Sequence, residues 1–141
     1  MSLDISLESV TPVDKVCNHC NSIYQEYEEY YQTNITHNLN TMAGEAGIYE
    51  ALWRPYMLQK GYIPTEDYDK EMLFESMSIT YAKDIIEILE KGLKDLKKRP
   101  KYFEKFNSSN GWGMYEHFVP FVEGYLQACK DNPEAIIKVD R

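Results

Sequence analysis

Asn34-Ile35-Thr36-His37-Asn38-Leu39-Asn40-Thr41-Met42-Ala43, running on through Ala46-Gly47-Ile48-Tyr49 to Leu52-Trp53-Arg54-Pro55, is the stretch around which the rest of the chain is organised. Asn34, Thr36 and Asn38 alternate with Ile35 and His37, which in a strand sends the three polar side chains to one face. Leu39, Met42, Ala43 and Ala46 then recur at helical spacing, and Gly47 is placed to stop that helix in a left-handed conformation. A strand feeding directly into a short helix is expected, with an Asn at the junction able to cap it. Ile48, Tyr49, Leu52 and Trp53 predict a further turn of helix. Pro55 ends it, because a proline disfavours helical geometry at the residue before it.

Around this stretch lies a chain of 141 residues, enough for one domain with a substantial core. A single domain over residues 1–141 is expected, with 56–77 read as an insertion. The formal charge of −8 argues against broad attraction to nucleic acid or to an anionic membrane surface, both of which are held largely through basic groups. There is no run of about 18 apolar residues to span a bilayer and no basic-then-apolar leader. An intracellular, soluble protein is expected. Twelve Tyr against five Phe and two Trp tilt the aromatics towards residues that serve surfaces and grooves as well as cores.

Of the three cysteines, two stand as Cys17-Asn18-His19-Cys20. Two thiolates at this spacing converge on one point and make half of a tetrahedral zinc site. The remaining candidates are His19, His37, His117 and Cys129, none of which forms a second pair at ligand spacing. Zinc at Cys17 and Cys20 therefore stands beside reduced, structural thiols as a reading of the motif. Redox catalysis is the weaker reading, since Asn21-Ser22 is poor sequence for the helix that should open there.

Leu3, Ile5 and Leu7 alternate with Ser2, Asp4, Ser6 and Glu8, predicting a strand within Met1 to Val10. Tyr24, Tyr27 and Tyr31 have helical spacing, yet the Tyr content favours extended chain, and a loop entering a strand at about Tyr31 to His37 is expected. The acidic region from Tyr56 to Met77 reads as a solvated insertion whose Met and Leu residues cover an edge of the core or meet a partner. Ser78 is expected to cap the longest helix, to about Lys98, with Ala82, Ile85, Ile86, Leu89, Leu93 and Leu96 as its apolar stripe. Gly92 within it costs about 0.5–1 kcal/mol relative to Ala, which is tolerable if another element packs closely there. The one basic window, Lys91 to Lys105, reads as a solvated helix end. Asn110-Gly111-Trp112-Gly113 is turn chemistry, its glycines letting the Trp112 ring lie against backbone. Met114, Phe118, Phe121, Val122, Tyr125, Leu126 and Cys129 mark one face of a second long helix, Gly113 to Lys130, with a kink or break expected at Pro120. Ile136 to Val139 predicts a closing strand. The fold class expected is α+β: a small sheet from the N-terminal, Asn34-region and C-terminal strands packed against two main helices.

The block from Asn34 to Pro55, together with Asn110-Gly111-Trp112-Gly113, Tyr115-Glu116, Phe118 to Glu123, Tyr125-Leu126 and Val139-Asp140-Arg141, resembles a family of small uncharacterised proteins of bacteriophages and prophages. The resemblance covers most of the chain apart from Tyr56 to Met77. It implies a phage or prophage origin and a host-cell cytoplasmic location, and it carries no established activity. From the residues themselves, Asn34, Thr36, His37, Asn38, Trp53, Arg54, Trp112 and Tyr115 are the candidate ligand-binding set. Amides offer donor and acceptor together, Arg54 is a fixed fork, and the aromatics are stacking surfaces. The reading is a non-catalytic binding protein for a small nucleotide-like or peptide ligand. Two alternatives stay open: a host-directed inhibitor acting through its acidic surfaces, and a small metal-dependent enzyme centred on His37. No cofactor other than zinc is indicated. A host protein or small ligand is the expected partner, and homo-oligomerisation is open.

Overall fold

The N-terminal strand lies at the centre of the fold. In the computed structural model, which describes residues 2–141, β1 (Ser2–Glu8) pairs antiparallel with β4 (Glu29–Thr36) on one side and with β5 (Ile136–Asp140) on the other. Asp4 is opposite Asn34 and Asp140 in the two pairings, giving the order β4-β1-β5. The period of two does what it predicts: Leu3, Ile5 and Leu7 are buried, while Asp4, Ser6 and Glu8 share the other, half-covered face.

Two helices cover the buried face. α6 (Tyr115–Asp131) sends Phe118, Val122, Tyr125 and Cys129 into the core, and α4 (Ile86–Lys98) adds Leu89 and Leu96. The fold is α+β, as the patterning implies. Tyr31 of β4 stacks on Tyr125, their ring centroids 6.3 Å apart and their planes 11° from parallel, so the sheet edge and α6 share an aromatic contact.

Several boundaries differ from expectation. α6 is the longest helix among the described residues, and it runs unbroken through Pro120. The proline stands in the second turn, where it removes one rung of the hydrogen-bond ladder and leaves the rest intact. Ser78 does not cap α4. Its hydroxyl donates to the Phe74 carbonyl at 2.7 Å and closes α3 (Tyr68–Met77), while α4 is entered through a 3-10 turn over Ala82–Asp84 in which the Asp84 carboxylate accepts from the Tyr81 amide. Thr80 and Ala82 are instead committed to Ile137 and Ala135 through backbone bonds. Residues 23–26, expected as loop, form β3 (Ile23–Glu26), the return strand of a hairpin with β2 (Val13–Val16). Their side chains are exposed on both faces, so no apolar alternation marks them.

Residues 56–77 are largely exposed, with no buried residue in α3. Tyr56 is buried in a 3-10 turn, Pro55–Leu58, and α3 packs over it through Phe74. The remaining elements are α1 (Asn40–Glu45), α2 (Tyr49–Trp53) and α5 (Pro100–Glu104). Gly47, at φ +75°, ends α1 as its position predicts. Gly92 has the close neighbour its placement demands: a Cβ there would fall on Ile48 Cγ2 and 3.1 Å from the Ala46 carbonyl oxygen. Among the described residues, no helix is long and apolar enough to cross a membrane.

Candidate functional site

β4 ends at Thr36 and the chain turns through a 3-10 segment, His37–Leu39, into α1. The cap at this corner is Thr36 rather than an Asn: its hydroxyl accepts from the Asn38 amide at 3.3 Å. Asn38 is thereby free to reach outward, and its side-chain amide donates to the Trp112 carbonyl at 2.8 Å. This bond ties the corner to the loop that precedes α6. Within that loop the asparagines are structural: Asn107 accepts from the Tyr115 amide at 2.7 Å, and Asn110 accepts from the Trp112 amide at 2.9 Å. Gly111 and Gly113 adopt φ +78° and +111°, and Gly113 lies so close to Asn38 that a Cβ would sit 2.8 Å from the Asn38 Cβ.

Between the corner, the loop and the first half of α6 runs an open cleft of about 1350 Å³. Asn34, Thr36, His37, Asn38 and Trp112 line it. Five of the eight predicted ligand residues therefore meet at one place. The Trp112 ring does not lie against backbone as its flanking glycines led us to expect: the residue is 71% exposed and stands at the cleft as a free aromatic surface.

The other three are elsewhere. Trp53 is buried behind His37, its indole N–H donating to His37 Nδ1 at 2.9 Å, and its other flank stacks on Tyr49. Arg54 turns to a separate cluster, donating to the Tyr56 hydroxyl at 2.9 Å. Burial disfavours the Arg54 charge, but the Tyr49 and Tyr56 hydroxyls outweigh it and hold the guanidinium above its ordinary pKa. Tyr56 and Tyr62 both donate to Glu71 Oε1, at 2.8 and 2.7 Å, and the bond to Glu71 pushes Tyr62 up to about 12. Arg141 completes this cluster with a two-pronged bond to Glu75 and a third to the Trp53 carbonyl. The arrangement pins α3 to the body through charge-assisted bonds and is structural. Tyr115 faces α4, where its hydroxyl donates to the Leu96 carbonyl at 2.7 Å. Arg54 therefore does not join His37, Asn34 and Asn38 at the cleft: α2 ends at Trp53, and Arg54 leaves helical geometry at φ −141° and ψ 60°.

His37 does not have the geometry of a catalytic base. Nδ1 accepts from Trp53, so the ring proton of the neutral imidazole sits on Nε2, which is buried and meets no hydrogen-bond partner among the described residues. Neither nitrogen is free to face a substrate in the cleft. The described residues hold no group of three or more His, Cys, Asp or Glu able to share an ion.

Sequence reasoning missed the cleft's far wall. Tyr31 and Thr33 of β4 and His117, Pro120 and Phe121 of α6 complete it. The alternation Tyr31, Thr33, Ile35 was available as a signal for the strand residues. The α6 residues gave none, because only the docking of α6 beside β4 brings them there. Both parities of β4 line the cleft, so it follows the outer edge of the strand rather than one face. Among the described residues, no hydrogen bond from another element reaches the outward backbone groups of β4. Among the described residues, the lining contains no Lys, Arg, Asp or Glu.

The thiols are separate from the cleft. Cys17 and Cys20 lie at the tip of the β2–β3 hairpin, where the Ser22 hydroxyl, and after it the Ser22 backbone amide, hold the Cys20 thiol below its ordinary pKa. Cys129 is buried in the core, and that burial pushes its thiol up to about 12. No protein-family model, curated protein or solved structure matches this chain.

Proposed function

We propose that this chain is a non-catalytic binding protein of the bacteriophage or prophage type, and that its cleft takes an extended peptide segment lying along β4. The observation that carries the reading is the unpaired outer edge of β4 opening into the cleft. An extended segment added to such an edge gains main-chain hydrogen bonds, and alternate side chains fall against the walls. Trp112 supplies an aromatic surface and Asn34 an exposed amide that makes no hydrogen bond to another described residue.

Between a nucleotide-like and a peptide ligand, the lining favours the peptide. A phosphate calls for Arg, Lys or a metal, and the lining offers uncharged amides, hydroxyls and aromatics with two imidazoles. The cleft also exceeds the roughly 300–1,000 Å³ usual for small-molecule pockets. Phage origin rests on the sequence blocks alone.

The reading is tested by selecting a displayed library of short linear peptides on immobilised protein, with AMP titrated in parallel. Recovered peptides are expected to slow amide exchange along 33–36 and to lose binding on Trp112→Ala or Asn34→Ala, while AMP binds negligibly. Peptides that protect other segments, no recovered peptide, or AMP bound at Trp112 would each sink the reading.

A further inference from the structure

The hairpin tip carries a half-built metal site that the cleft does not explain. Cys17-Asn18-His19-Cys20 fills the connection between β2 and β3, and two backbone bonds shape it: the Cys17 amide donates to the Ser22 carbonyl, and the Asn21 amide donates to the Cys17 carbonyl, both at 2.9 Å. Asn21 has φ +58° and is the one non-glycine residue at positive φ among those described. The residue after the second cysteine is thus held in a conformation few side chains tolerate, which folds the chain back under Cys20. The Cys20 sulfur lies 2.8 Å from the Ser22 hydroxyl. Both thiols are free, Cys17 half-buried and Cys20 exposed, on the same short connection.

Two thiolates at this spacing supply half of a tetrahedral shell. The chain itself supplies no more: no third His, Cys, Asp or Glu stands close enough among the described residues. Directly below the loop, Val16 and Ile23 pair across the hairpin, 60% and 72% exposed. An apolar pair flanking an incomplete ligand set is complemented in one step by the same pair and the same ligands on a second copy of this chain. Two hairpins related by a two-fold axis bring four sulfurs to one point and cover the Val16 and Ile23 side chains of both copies in one step.

We propose that Cys17 and Cys20 of two copies bind one zinc ion at the two-fold axis of a homodimer formed through the β2–β3 hairpins. Zinc suits the site because it takes a closed tetrahedral thiolate shell with no redox requirement. Binding releases the thiol protons and breaks no other bond. The proposal is independent of the peptide-binding reading, since the hairpin contributes nothing to the cleft.

The test is zinc content by elemental analysis together with mass by light scattering, on full-length protein in reducing buffer with and without a chelator. About half an equivalent of zinc per chain and a dimer that becomes monomeric on chelation are expected. Cobalt exchanged for zinc should show the charge-transfer intensity of four thiolates rather than two. The Cys17→Ser/Cys20→Ser variant should be monomeric and zinc-free with unchanged circular dichroism, because the hairpin lies outside the core. Val16→Asp, which leaves both thiols in place, should weaken the dimer at limiting zinc. The proposal is overturned by zinc at one equivalent on a monomer, by a zinc-free protein in zinc-supplemented reducing buffer, or by a dimer indifferent to both chelator and cysteine replacement.

Discussion

Replacing Gly113 by Ala should strike the contact that shapes the cleft, and its magnitude can be worked from the geometry. At φ +111° an L side chain is strained, which costs about 1–3 kcal/mol. The added Cβ would also stand 2.8 Å from the Asn38 Cβ and 3.3 Å from its carbonyl carbon, where carbon contacts are comfortable only near 3.5–4.0 Å. Asn38 must retreat by roughly 1 Å, which strains the bond to the Trp112 carbonyl and adds about 1–3 kcal/mol of overpacking. The sum, about 2–6 kcal/mol, is a large share of the roughly 5–15 kcal/mol that holds a domain of this kind together. At about 3 °C per kcal/mol, the melting temperature should fall by about 6–18 °C. Gly111→Ala is the control: its φ of +78° is strained too, but nothing lies within 4 Å of the new Cβ, so only the backbone term of about 1–2 kcal/mol applies. Differential scanning calorimetry on both variants shows whether Gly113→Ala costs more than positive-φ strain does at Gly111. Asn38→Gly, which removes the opposing Cβ, should recover about 1–2 kcal/mol in the Gly113→Ala background. The reasoning fails if Gly113→Ala costs no more than Gly111→Ala, or if Asn38→Gly recovers nothing.

Two further outcomes follow from the core. Gly92→Ala should destabilise by about 1–2 kcal/mol despite a helix-propensity gain of about 1 kcal/mol, because its Cβ meets the stiff, fully buried Ile48 side chain; Gly44→Ala, with open space around it, should not. Urea titrations of both variants decide this, and a stabilised Gly92→Ala would refute the packing at that site. Cys129 contributes to alkaline stability, beside the buried Tyr125 hydroxyl, which burial also holds above its ordinary pKa. The folded Cys129 pKa of about 12 lies above the unfolded thiol value, so the folded state keeps a proton that the unfolded state gives up. Its contribution is fully present below about pH 8.5 and declines as pH rises towards 12, by on the order of 2 kcal/mol at about pH 10.5. The loss of stability between about pH 8 and 10.5 should be shallower in Cys129→Ala, and an unchanged slope would remove Cys129 as the cause.

The period of two in Leu3, Ile5 and Leu7, the helical stripes through Leu89 and Leu96 and through Phe118, Val122 and Tyr125, and the stop at Gly47 were all legible in the chain, because each is a local pattern set by backbone geometry. That the two ends of the chain pair was also readable, from strand signals at both. The β2–β3 hairpin was not, since a two-stranded arm wet on both faces has no apolar alternation to announce it. Nor was the true start of α4, where the pairing of Thr80 and Ala82 with residues near β5 overrides a good capping residue at Ser78.

For the candidate site, residue types alone marked Asn34, Thr36, His37, Asn38 and Trp112, since amides and a Trp among turn residues are unusual wherever they fall. Which of them face a cavity was decided only by tertiary structure. Trp53 and Trp112 are equal in sequence terms, yet one is buried against His37 and the other is 71% exposed. Arg54 adjoins Trp53 in the chain and serves another cluster through its bond to Tyr56, while the α6 docking brings Pro120 and Phe121 to β4. Local sequence sets what each segment can be, through periodicity and backbone preference. Which groups meet is set by contacts between segments distant in the chain, such as Asn38 with Trp112 and β1 with β5, and these form only when the core closes.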